Sequence, residues 1–205
     1  GAALVEGGKA DFLYLSLTDF MQHKYVPDAP ESLDFYAQID AQVGRLLDAG
    51  CVVAATADHG MNSKNKADGS PNVIYVEALL KDKYGEGLTV ICPITDPYVV
   101  HHGALGSLVM VHVEDKSQVP TMIDYLGGIE GVTEVYDRAA TCRRLELAED
   151  RIGDICVLCG RDFVLGKTEA DHDLSVLKGG LRSHGGRYEE MVPMVLSHPL
   201  NAEYK

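Results

Sequence analysis

Three short stretches of the sequence combine carboxylate and imidazole donors in spacings able to grip a cation. In Thr18-Asp19-Phe20-Met21-Gln22-His23 the aspartate and the histidine stand four residues apart. On a helix both would point to one face about one turn apart, near enough to share an ion. In Thr56-Ala57-Asp58-His59-Gly60-Met61-Asn62 an Asp-His pair precedes a glycine, which lets the backbone bend sharply and turn both side chains into one cavity. Leu181-Arg182-Ser183-His184-Gly185-Gly186 places a third histidine in a flexible, glycine-rich loop. Oxygen and nitrogen donors without a thiolate suit zinc ahead of manganese. Taken singly, these stretches read as a solvated surface pair, a helix cap with its turn, and a loop histidine. Taken together and in this order, they read as a metal site.

The elements that must position these residues follow from periodicity. Residues 11–18 form an apolar run of the length of an interior strand, and residues 51–57 form a second one. Each ends just before a donor stretch, where α/β sheets hold their ligands. Between them Leu33, Tyr36, Ile39, Val43, Leu46 and Leu47 recur at three- and four-residue steps, with Gly50 placed to end a helix. Strand, helix, strand over this length predicts a parallel pair with a right-handed crossover. Further strands are predicted at 72–76, 88–92, 107–113, 131–136, 153–159 and 192–197, and helices near 117–126 and 138–147. The fold class is therefore α/β, a mostly parallel sheet sandwiched by helices, with residues 105–165 as a small α+β cap or inserted subdomain. Residues 1–104 would belong to the metal-binding core, and 166–205 would return to it carrying His184.

With 205 residues, 46% of them hydrophobic, the chain can bury a real core. A formal charge of -13 repels phosphate backbones and anionic lipid, which argues against nucleic acid and membrane as partners. No apolar run approaches the roughly 20 residues of a membrane span, and no export signal is visible. The expectation is a soluble protein. Five cysteines, an odd number spread through apolar segments, fit a reducing compartment, so the expected location is the cytoplasm. Cys156 and Cys159 have redox spacing but sit in an apolar strand-like run, and read as buried strand cysteines.

Other residues invite two readings each. His101 and His102 either hydrogen-bond within a loop or steady a ligand from behind. Asp171-His172-Asp173 is a second metal cluster or a turn that starts a helix. Lys64 is a solvated lysine ahead of a contact to a substrate anion. Thr18 and Ser63 are poor candidates for a nucleophile.

The order Asp-x-x-x-His, Asp-His-Gly and a late His before Gly resembles the ligand series of the alkaline phosphatase superfamily. The wider wording is most similar to the phosphonoacetate hydrolases: residues 12–19, Asp58-His59-Gly60-Met61-Asn62-Ser63-Lys64, residues 95–104, and Gly180-Leu181-Arg182-Ser183-His184-Gly185-Gly186. This resemblance implies an alkaline phosphatase-like core, incomplete in this chain, and hydrolysis of the carbon–phosphorus bond of phosphonoacetate. Asp19, His23 and His184 would hold one zinc, and Asp58 and His59 would supply half the ligands of a second. The family's nucleophilic threonine, its remaining aspartate ligand and its substrate-reading lysines have no counterpart here, so the chain is expected to be the C-terminal part of a longer protein, inactive alone. In the complete enzyme a threonine alkoxide formed at one zinc would attack phosphorus in line, while the other steadies the non-bridging oxygens. The partner implied is a small phosphonate, and an unpaired sheet edge would favour a homodimer. A phosphodiesterase or nucleotide pyrophosphatase of the same superfamily, and a non-catalytic metal-binding module, remain as alternatives.

Overall fold

The computed structural model describes residues 1–94, 105–175, 177, 180–201 and 203. In chain order the helices are α1 (Ala2–Glu6), α2 (Phe20–Lys24), α3 (Pro30–Asp48), α4 (Val76–Tyr84), α5 (Val119–Gly127) and α6 (Arg138–Leu145). The strands are β1 (Ala54–Thr56), β2 (Asn62–Ser63), β3 (Val73–Tyr75), β4 (Leu88–Ile91), β5 (Leu108–Val113), β6 (Val132–Asp137), β7 (Ile155–Cys159), β8 (Val164–Gly166), β9 (Arg182–Ser183) and β10 (Met194–Leu196). The chain forms two compact units, Gly1–Asp58 with Met191–Lys205, and His59–Glu190.

In the first unit α3 forms where the apolar period predicts it. Pro30 opens it with a preset φ, Glu31 and Arg45 complement its dipole, and Gly50 follows at φ +84°. Arg45 grips both carboxylate oxygens of Glu6 (3.0 and 2.6 Å), tying α1 to α3. Two expectations fail in this unit. Residues 11–18 form no paired strand, and Phe12 and Tyr14 are 89% and 86% exposed. Strand N–H and C=O groups need a neighbour, and no described strand pairs with this run. Of residues 51–57 only β1 is a strand; it is exposed, and it pairs antiparallel with β10 rather than parallel across α3.

The second unit is built on a four-stranded sheet in the order β4-β5-β7-β6. One face carries Val90, Val109, Val111, Ile155 and Val157 against Leu80 of α4 and Met122 and Leu126 of α5. The other carries Met110, Cys156 and Leu158 against Ile152 and against Cys142 and Leu145 of α6. Helices thus cover both faces, and the mixed α/β class is the one expected. This sheet, whose β5, β6 and β7 lie in the expected α+β subdomain 105–165, is antiparallel throughout; outside it, where parallel pairing was expected, among the described strands only β3 and β8 run parallel. Pairing partners are set by contacts far apart in sequence, which apolar runs alone do not encode. A separate two-stranded ladder, Asn62 opposite Ser183 and Ser63 opposite Arg182, joins the segment after His59 to the segment before His184.

Candidate metal centre

In the first unit Asp19 stands at the N-cap of α2 and His23 in its last turn. The expected helical spacing brings them together: His23 Nε2 lies 3.0 Å from Asp19 Oδ2, with the imidazole buried. Asp58, exposed, closes this unit just after β1.

In the second unit the β2/β9 ladder draws two loops together, and the rings of His59 and His184 stack with centroids 3.5 Å apart and planes 6° from parallel. The Nδ1 of His59 lies 2.9 Å from the Gly60 carbonyl. A carbonyl only accepts, so Nδ1 must carry the proton and the lone pair sits on Nε2, as a metal ligand requires. The Gly60 N–H donates to the Glu189 carbonyl at 2.7 Å, fixing that peptide in turn. On the His184 side the glycines are there for close packing rather than looseness. Gly185 adopts φ +99°, where a Cβ would meet Ile94 Cδ1 at 2.7 Å, and a Cβ on Gly186 would meet that of Ser107 at 2.7 Å. The Ser107 N–H holds the His184 carbonyl at 2.9 Å.

Lys64 is neither solvated nor open to an anion. It is fully buried, and its ammonium donates to Glu189 Oε1 (3.0 Å), Ser107 Oγ (2.9 Å) and the Arg161 carbonyl (2.7 Å). Sequence reading missed Glu189 altogether; the available signal was a glutamate three residues after Gly186, whose N–H its Oε2 accepts at 2.9 Å. His172 is buried, and its Nε2 accepts the Lys167 N–H at 2.8 Å, while Asp173 accepts from Ser175; the segment turns, but among the described residues no helix starts from it. Cys156 and Cys159 lie buried in β7. His101, His102 and the motif 95–104 lie outside the described residues.

Residues 8–187 match the family described as type I phosphodiesterase / nucleotide pyrophosphatase. The chain belongs to that family. Among solved structures this phosphodiesterase-family chain is similar to phosphonoacetate hydrolase from Sinorhizobium meliloti 1021, in complex with phosphonoformate (TM-score 0.90) and with phosphonoacetate (0.89). Each of those is 44% identical over 99% of this chain and 50% of that one. Murine ectonucleotide pyrophosphatase / phosphodiesterase 5, 20% identical with TM-score 0.63 over 97% of this chain and 51% of its own, shares the fold. The chain therefore spans about half the length of these structures. The resemblance read from Asp58-His59-Gly60 and its companions is borne out at the level of the family and of similarity to phosphonoacetate hydrolase. Among the described residues no helix of this family member is long and apolar enough to cross a membrane.

Proposed function

We propose that this chain supplies metal-binding residues to a zinc hydrolase that converts phosphonoacetate and water to acetate and phosphate. The observation that carries the reading is 44% identity, over 99% of the chain, to an enzyme whose structure holds phosphonoacetate. The donor chemistry fits: a carboxylate against a buried imidazole at Asp19 and His23, and two imidazoles face to face at His59 and His184. In this reading Asp19, His23 and His184 hold one zinc, and Asp58 and His59 provide half the ligands of a second. Bound zinc supplies concentrated positive charge for phosphoryl oxygens and for a deprotonated nucleophile.

The chain's own residues prepare that chemistry. Asp19 and His23, one helical turn apart, bring a carboxylate oxygen and an imidazole nitrogen within 3.0 Å of each other, and the Gly60 carbonyl keeps the proton of His59 on Nδ1. Ser107 and the packed glycines hold the His184 backbone in place. The nucleophilic threonine, the further aspartate ligand and the lysines for the substrate carboxylate have no counterpart among these residues, so turnover requires groups beyond them. The reading also takes the protein as cytoplasmic, a homodimer, and selective for a small phosphonate over nucleic acid.

Phosphate release from phosphonoacetate, with and without a zinc chelator, tests this in the 205-residue chain and in a protein extended to the length of the hydrolase. The extended protein is expected to turn over phosphonoacetate until chelated, and the short chain to release none. Turnover by the short chain would contradict the assignment of roles. The family description favours a second reading, a phosphodiesterase; faster hydrolysis of a nitrophenyl phosphodiester than of phosphonoacetate would establish it.

A further inference from the structure

A buried ion pair lies behind the two stacked imidazoles, and its connections reach both. The carboxylate of Glu189 accepts four hydrogen bonds: from Lys64 Nζ (3.0 Å) and Asn62 Nδ2 (2.6 Å) at Oε1, and from the Gly186 N–H (2.9 Å) and Ser107 Oγ (3.3 Å) at Oε2. Gly186 lies two residues after His184, and the Ser107 N–H binds the His184 carbonyl. The Glu189 carbonyl holds the Gly60 N–H, whose own carbonyl fixes the proton of His59. Lys64 meanwhile spends all three of its donors inside the protein.

Removing two charges from water is costly, and an apolar pair of like volume is often as stable or more so. Stability alone is thus a weak reason for this pair. Groups that orient metal ligands from behind do give one, because their loss typically weakens metal binding roughly 10–100-fold. We propose that the Lys64–Glu189 pair is a positioning device that presets the His59 and His184 rings for metal. The proposal rests on the zinc reading of those two histidines.

Two variants of the 205-residue chain test it. Lys64→Met/Glu189→Leu buries no lone charge and removes the hydrogen bonds that the Glu189 carboxylate and the Lys64 ammonium make to Asn62, Ser107, Gly186 and Arg161, leaving the backbone bond from Gly60 to Glu189 in place. Glu189→Asp keeps the charge but shortens its reach. Zinc affinity is measured by chelator competition, and the tautomer of His59 by nitrogen-15 NMR of the metal-free protein. Asp154→Asn serves as comparison, since it removes a different charge of the same unit, the buried Asp154 carboxylate that pairs with the more exposed Lys116 and Arg138. The expected result is zinc binding weakened roughly 10–100-fold in the folded Glu189 variants, with a mixture of His59 tautomers, and zinc affinity unchanged in Asp154→Asn. Wild-type affinity and a single Nδ1-protonated tautomer in either folded Glu189 variant would overturn the positioning role and leave the zinc reading intact. Failure of the wild-type chain to bind zinc would overturn the zinc reading and this inference with it.

Discussion

Burial pushes the thiols of Cys156 and Cys159 up to about 12 and that of Cys92 up to about 11, so little thiolate exists at neutral pH to attack a reagent. Cys51 and Cys142 are only half-buried. Maleimide labelling of the folded chain, read by mass spectrometry, is therefore expected at Cys51 and Cys142 first, with the other three reacting only after unfolding. Gly185 gives a second residue-scale outcome. Alanine there must adopt φ +99° and meet Ile94 at 2.7 Å, at a cost of roughly 1–3 kcal/mol, measurable as a lowered denaturant midpoint. The approach of Asp19 to His23 was legible in the sequence because a four-residue spacing on a helix carries its own geometry. Lys64 and Glu189 were not: a lysine within Asn62-Ser63-Lys64-Asn65-Lys66 reads as solvated, and its partner stands 125 residues away.

Elements were readable where periodicity was long, as in α3, and where an apolar run lay between turns, as in β5 and β7. α4 escaped notice because it follows β3 directly, with no side-chain cap to mark its start. The packing of the sheet gives a comparison to test. Leu126 of α5 is fully buried, whereas Leu33 of α3 is 57% exposed. Leu126→Ala is expected to cost roughly 2–5 kcal/mol, and Leu33→Ala within about 0.5 kcal/mol of nothing, in urea unfolding. Asp154 adds a pH dependence. Burial alone would raise its carboxyl, but Lys116, the Val113 N–H and Arg138 outweigh that and hold it below the ordinary 3.8. A lowered folded-state value stabilises above the ordinary one and is lost as pH falls through it. Wild type should therefore lose stability more steeply than Asp154→Asn as pH falls below about 5.

For the whole chain, composition and charge were informative about class and silent about pairing. The α/β class followed from element order; the antiparallel sheet and the exposure of residues 11–18 did not, because both depend on which neighbours each strand finds. Phe12, Tyr14, Leu15 and Leu17 leave an apolar stretch facing water. Sedimentation velocity is expected to show association that grows with concentration and weakens in Leu17→Ser; a monomer at all concentrations would contradict it. The formal charge of -13 also means that an anionic substrate must find its attraction locally. In the proposed reading that attraction comes from bound zinc, so metal binding is the claim on which the rest depends. Zinc retained per chain after equilibrium dialysis tests it most directly, in wild type, Asp19→Asn, His23→Ala, His184→Ala and, as a control, the exposed His198→Ala. Zinc held by wild type and by His198→Ala, and lost in part by each of the other three, is the predicted result; no zinc in wild type, or equal zinc in all five, would contradict it.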